Sequence, residues 1–179
     1  MRCFIAVDLP EEVKKDLGKI QGEIPKEGKI LLVNQQILHL TLRFLGEMDD
    51  SQADKIKEAL KNLRINKFKA RLSGIGMFPS EDFIRVVWAG LEPSEKFREI
   101  HERIDKELDK IQISKDERFE SHVTLARIKF IKDKKDFTEK IKQIKIQPIE
   151  FSVEKISFKK STLTEKGPVY EDLAEIKLV

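Results

Sequence analysis

The chain has 179 residues, of which 40% are hydrophobic and 37% charged. Its 35 basic and 32 acidic side chains nearly cancel to a formal +3, which excludes a polycationic tail and leaves any nucleic-acid affinity to local charge clustering. A single Cys excludes an internal disulfide or a CxxC zinc pattern, and no apolar run reaches the ~18 residues of a membrane span, so a reducing, cytoplasmic setting is expected.

The first expected element is a strand over 3–8, whose apolar run is shorter than the roughly 7–15 residues of a signal-peptide core. Pro10 then leads a helix bearing Val13, Leu17 and Ile20 at helical spacing. Strand-like runs come next at 29–33 and 37–44. Asp50 and Ser51 are the expected N-caps of a helix carrying Ile56, Ala59, Leu60 and Leu63. A strand at 67–73 runs into Gly74-Ile75-Gly76-Met77-Phe78-Pro79, read as the turn between two halves of one domain, 1–79 and 80–179. The second half opens with a strand at 83–89. Pro93 leads a helix with Phe97, Ile100, Ile104, Leu108 and Ile111, and a strand is expected at 121–128. A Lys-rich helix bears Phe137, Ile141 and Ile144, and strands at 149–159 and 169–178 complete the chain. Mixed helices and short strands indicate an α+β or α/β fold.

The halves echo each other. Pro10 and Pro93 lie 83 positions apart, as do His39 and His122, Thr41 and Thr124, and Leu42 and Leu125. An internal duplication is therefore expected, each half running strand, Pro-led helix, then a strand carrying His-x-Thr-Leu.

Strand side chains alternate faces with a period of two. Ile37, His39, Thr41 and Arg43 then share one face, and Leu38, Leu40, Leu42 and Phe44 the core face. In the second copy His122 and Thr124 share a face opposite Val123 and Leu125. Two such faces related by a two-fold would line one cleft with two imidazoles and two hydroxyls. In-line displacement at phosphorus needs this set. One His takes a proton from the attacking oxygen while the other protonates the leaving oxygen opposite, and an unperturbed pKa near 6.5 suits both. The hydroxyls donate to the non-bridging phosphate oxygens. No metal or other cofactor is needed for this chemistry. A lone His-x-Thr is ordinarily structural, but here two copies use two of only three histidines. His101 reads as a boundary residue on its helix, and Cys3 as a small apolar residue. A zinc site from Cys3, His39 and His122 would leave both threonines without a role.

These motifs resemble the 2H phosphoesterase superfamily, in its RNA 2′,3′-cyclic phosphodiesterase (2′-5′ RNA ligase) branch. The likeness spans nearly the whole chain. It rests on Arg2-Cys3-Phe4-Ile5-Ala6-Val7, His39-Leu40-Thr41-Leu42 with Phe44-Leu45-Gly46, and the Gly74–Pro79 segment. It continues through Arg85-Val86-Val87-Trp88-Ala89-Gly90, His122-Val123-Thr124-Leu125-Ala126-Arg127, Ser161-Thr162-Leu163 and Gly167-Pro168-Val169-Tyr170. The residue before the second motif, often Pro in the family, is Ser121 here.

The resemblance implies a bilobal α+β fold, two pseudo-two-fold related lobes with antiparallel sheets around a central cleft. It implies metal-independent hydrolysis of an RNA 2′,3′-cyclic phosphate to a 2′-phosphate, with reversible 2′-5′ ligation of RNA. By analogy His39 is the proton donor, His122 the proton acceptor, and Thr41 and Thr124 hold the phosphate. Arg127 matches the family's arginine five residues after the second His, although period-two counting sends it to the opposite face unless a bulge intervenes. Arg43 is the rival substrate-binding arginine.

RNA with cyclic phosphate ends, tRNA halves included, is the expected partner of a monomer with no membrane contact. Residues 127–160 hold 11 Lys or Arg against 5 Asp or Glu, which fits either a phosphate track or a solvated helix face. Phe4, Phe44, Phe78, Trp88 and Tyr170 are candidates for base stacking. The alternative from another class is a non-catalytic nucleotide or RNA-end binding module using the same cleft.

Overall fold

A computed structural model describes residues 1–179. In chain order the elements are β1 (Arg2–Asp8), α1 (Glu11–Glu23), β2 (Gly28–Leu32), β3 (His39–Glu47), α2 (Asp50–Leu60), β4 (Phe68–Pro79), β5 (Ile84–Glu92), α3 (Ser94–Asp109), β6 (His122–Ile131), α4 (Lys134–Gln143), β7 (Glu150–Val153), β8 (Lys155–Thr164) and β9 (Gly167–Lys177). No helix is long and apolar enough to cross a membrane.

Pro10 and Pro93 stand at the N-caps of α1 and α3, where a fixed φ and a missing N–H cost nothing. The cap of α2 is Asp49, one residue before those expected. Its carboxylate accepts from the Gln52 backbone N–H, and the Gln52 side chain accepts in return from the Asp49 N–H.

The sheet is antiparallel, in the order β7-β4-β5-β6-β3-β1-β8-β9, with β2 also paired to β6. It divides into a five-stranded half, β7-β4-β5-β6 with β2, and a four-stranded half, β3-β1-β8-β9. One residue pair, Leu40 opposite Val123, joins β3 to β6 between them. The fold is the expected two-lobed α+β arrangement. The sequence halves 1–79 and 80–179, however, do not coincide with the sheet halves. β4 crosses to pair with β5, and β8 and β9 return to pair beside β1. Each lobe is thus completed by strands from the other half of the sequence.

Two further expectations are corrected. The Gly74–Pro79 segment is not a turn but the end of β4. Gly76 answers packing: a Cβ there would lie 2.2 Å from the Trp88 ring. The apolar run 149–159 is not one strand. It breaks at Glu154 into β7, an edge strand of one half of the sheet, and β8, which lies in the other half between β1 and β9.

The helices pack on the sheet. α3 lies against β3 and β5, and α1 against β6. Their apolar stripes supply Leu17, Phe97, Ile104 and Leu108, all fully buried. Such a side chain stabilises the fold by about 1.5–3 kcal/mol on burial. The second helix pair obeys the same logic, with Ile56 and Phe137 buried on α2 and α4. The core holds β3 and β6 side by side at the middle of the sheet.

Candidate active site

The pair Leu40–Val123 lies between the two motifs. An antiparallel ladder centred there places His39 beside Thr124 and His122 beside Thr41, all four on one face. Leu40 and Val123 are fully buried on the other.

Each imidazole is held alike. His39 Nδ1 donates to the Ile37 carbonyl at 2.8 Å, and His122 Nδ1 donates to the Glu120 carbonyl at 2.8 Å. A carbonyl only accepts, so both rings carry the Nδ1 proton and leave Nε2 for chemistry. His39 Nε2 lies 3.0 Å from Thr41 Oγ1. Aromatic rings wall both histidines. Phe4 and Tyr170 stand 5.1 and 5.3 Å from the His39 ring, and Phe78 and Trp88 stand 5.0 and 6.3 Å from His122.

Burial holds both imidazoles below the usual histidine pKa. At His39 the Ile37 hydrogen bond and the Asp8 carboxylate oppose that shift, while Lys159 and His122 add to it. At His122 the Glu120 carbonyl and carboxylate oppose it and Arg127 adds to it. Burial also raises the Tyr170 pKa, against the fields of Arg127 and Lys159.

Both motif strands carry a bulge immediately after the Thr. On β1, Ala6 pairs with Thr41 and Ile5 with Arg43, so Leu42 has no partner of its own. On β5, Trp88 pairs with Thr124 and Val87 with Ala126, so Leu125 has none. One extra residue reverses the alternation beyond it. Arg127 is consequently exposed on the His122 face, where its charge acts on both His122 and Tyr170. Phe44 takes the matching place on β3 and is 63% exposed.

Arg43 is turned inward, contrary to the shared face expected from strict alternation. It is only 7% exposed. Its Nε donates to Asp105 at 2.5 Å, and its other nitrogens donate to the carbonyls of Phe44 and Ser114. It belongs to a structural ion pair beneath the sheet.

Polar side chains from the helices support both bulges. Gln21 of α1 donates to Leu125 O at 2.9 Å and to Val33 O at 2.7 Å. His101 of α3 bridges Leu42 O and Asp116 O, both at 2.7 Å. His101 is 4% exposed, so it is a core residue and not the boundary residue expected. Each helix thus braces the motif strand of the opposite sequence half. Sequence reasoning missed Gln21, although a polar residue four positions after Leu17 on an apolar stripe was a visible signal. It also missed Asp8, which pairs with His39 in the ladder and holds Lys159 at 3.1 Å.

Cys3 is buried with Sγ against Met1 O at 3.7 Å. No three His, Cys, Asp or Glu side chains are grouped to hold a metal ion. Four of the 11 basic residues in the stretch 127–160 are paired: Lys140 with Asp136, Lys142 with Glu81, Lys155 with Glu175, and Lys159 with Asp172.

The family model described as LigT like phosphoesterase matches residues 7–88 and 91–170, one motif in each segment. The chain belongs to this LigT-like phosphoesterase family. A relative from Methanocaldococcus jannaschii, named RNA 2′,3′-cyclic phosphodiesterase, is 38% identical over 177 residues, covering 98% of this chain and 99% of its own. A Thermotoga maritima protein of the same name is 36% identical, covering 98% and 94%. Among solved structures, a Thermus thermophilus protein superimposes with a TM-score of 0.81 at 31% identity, covering 99% of this chain and 97% of that one. E. coli LigT complexed with 3′-AMP shares the fold of this LigT-like chain, with a TM-score of 0.79 at 21% identity over 99% and 97% of the two chains.

Proposed function

We propose that this LigT-like phosphoesterase hydrolyses 2′,3′-cyclic phosphates at RNA ends to 2′-phosphates, without metal or nucleotide cofactor. The observation that carries this reading is the pair of imidazoles on adjoining strands, each with Nδ1 tied to a carbonyl and Nε2 left for chemistry, that of His39 beside the Thr41 hydroxyl. The names of full-length relatives support the substrate class.

In the reaction a water oxygen bonds to phosphorus as the P–O3′ bond breaks. His122 takes the water proton, and His39 gives its proton to O3′, leaving the phosphate on O2′. These roles follow the family resemblance. The Asp8 carboxylate favours the imidazolium at His39 against Lys159, and at His122 the Glu120 carboxylate favours it and the Arg127 guanidinium opposes it. Thr41 and Thr124 donate to the non-bridging oxygens, and Arg127 offsets their charge. An RNA 5′-hydroxyl in place of the water would give a 2′-5′ linkage through the same geometry. The enzyme works as a monomer, and tRNA halves are among the RNAs it would accept.

Incubation with a nucleoside 2′,3′-cyclic phosphate, with products resolved by chromatography, tests this. The 2′-phosphate should accumulate in the presence of chelator. His39→Ala and His122→Ala should each lower kcat by about 10²–10⁴-fold. A substrate that binds and stays intact would favour a binding module instead, and a 3′-phosphate product would reverse the choice of leaving oxygen.

A further inference from the structure

Beside His39 lies a cavity of about 590 Å³, between α1, the short turn Gln35–Ile37 and the β8–β9 hairpin. Resting on the reading above, we propose that it seats the nucleotide preceding the cyclic end, with the connecting phosphate held by Lys14 and Lys166.

Three observations lead there. The first is position. The cavity is lined by Ile37 and Leu38, which lead into His39, and by Tyr170, whose ring meets His39 edge-on at 5.3 Å. In-line displacement puts the leaving O3′ on the side of the proton donor and the water on the side of the base. O3′ belongs to the terminal ribose, so the RNA chain must leave the site past His39.

The second is size. Small-molecule sites span roughly 300–1,000 Å³, and this cavity lies within that range. The third is chemistry. Three lysines and one carboxylate line the cavity. Lys159 is engaged by Asp8 and Asp172. Lys14 donates once, to Gln36 O at 2.8 Å, with Glu11 3.6 Å away, so two of its three ammonium protons remain. Lys166 is exposed at the hairpin tip. Asn34 accepts from the Gln36 N–H through Oδ1, which leaves its amide N–H groups for a base edge or a 2′-hydroxyl. Cationic ends with neutral amides between them suit a single-stranded nucleotide better than an apolar ligand.

The test compares a nucleoside 2′,3′-cyclic monophosphate with a trinucleotide ending in the same group, using the wild type and the double variant Lys14→Gln/Lys166→Gln. Wild-type kcat/KM should be higher on the trinucleotide and fall more steeply with salt. The double variant should lose about three- to tenfold more on the trinucleotide than on the monophosphate, mainly through KM, and lose part of the salt slope. Equal effects on the two substrates, or none on the trinucleotide, would overturn the proposal. If the wild type cleaves neither substrate, the hydrolase reading falls separately. Binding of the uncleaved trinucleotide, weakened in the double variant, would still support the pocket, and unchanged binding would overturn it.

Discussion

In the proposed mechanism His39 and His122 do opposite jobs with the same side chain, and burial acts on both rings in the same direction. Turnover from the free enzyme needs one ring protonated and one neutral. Burial lowers both pKa values from 6.5, so that state is most populated below pH 6.5. The kcat/KM profile should therefore be a bell with its maximum on the acid side of 6.5. A bound phosphate anion favours both imidazolium forms, so the kcat profile should lie at higher pH than that of kcat/KM. Parallel initial-rate measurements from pH 4.5 to 9 would check this, and coincident profiles would contradict it. Stability obeys the same linkage. Below pH 6.5 the unfolded chain binds more protons at these two sites than the folded one, so both contributions are lost as pH falls.

At the scale of elements, the bulges decide which arginine faces the cleft. Leu42 and Leu125 are the extra residues, and beyond them the alternation is reversed. Arg43 then lies in the core with Asp105, and Arg127 stands beside His122. The two arginines should respond differently to substitution. Arg43→Met leaves the Asp105 carboxylate buried without its partner and should cost about 3–5 kcal/mol. That corresponds to a Tm lowered by roughly 10 °C, with kcat/KM per folded molecule little changed well below the transition. Arg127→Met should leave Tm nearly unchanged and lower kcat/KM by at least about tenfold, the worth of a charge-assisted hydrogen bond. Thermal melts and rates on the same two proteins would reveal a reversed pattern if strict alternation held.

The whole molecule is more entangled than its repeat. β4 completes the lobe of the second half, β8 and β9 complete the lobe of the first, and α1 and α3 brace each other's motif strands through Gln21 and His101. Fragment 1–79 would expose the edge of β1 that β8 covers, with Ile156 and Phe158 missing from its core. Fragment 80–179 would lack the strand that pairs with β5. Neither should fold alone. Circular dichroism and limited proteolysis of each fragment would show no cooperative transition, and a stable fragment would refute this mutual dependence.

The sequence by itself determined the four helices, the fold class and the two His-x-Thr strands. These depend on local signals: apolar spacing, Pro and Asp caps, and a motif repeated at one offset. It also carried the face of His39, Thr41, His122 and Thr124, because alternation holds up to the threonine. Tertiary structure alone decided the course of each motif strand beyond its threonine, since a bulge is set by the neighbouring strand's register and by a carbonyl's partner on a distant helix. It likewise decided that Glu154 divides one apolar run between opposite halves of the sheet. Strand partners are chosen by long-range pairing, which no window of sequence contains.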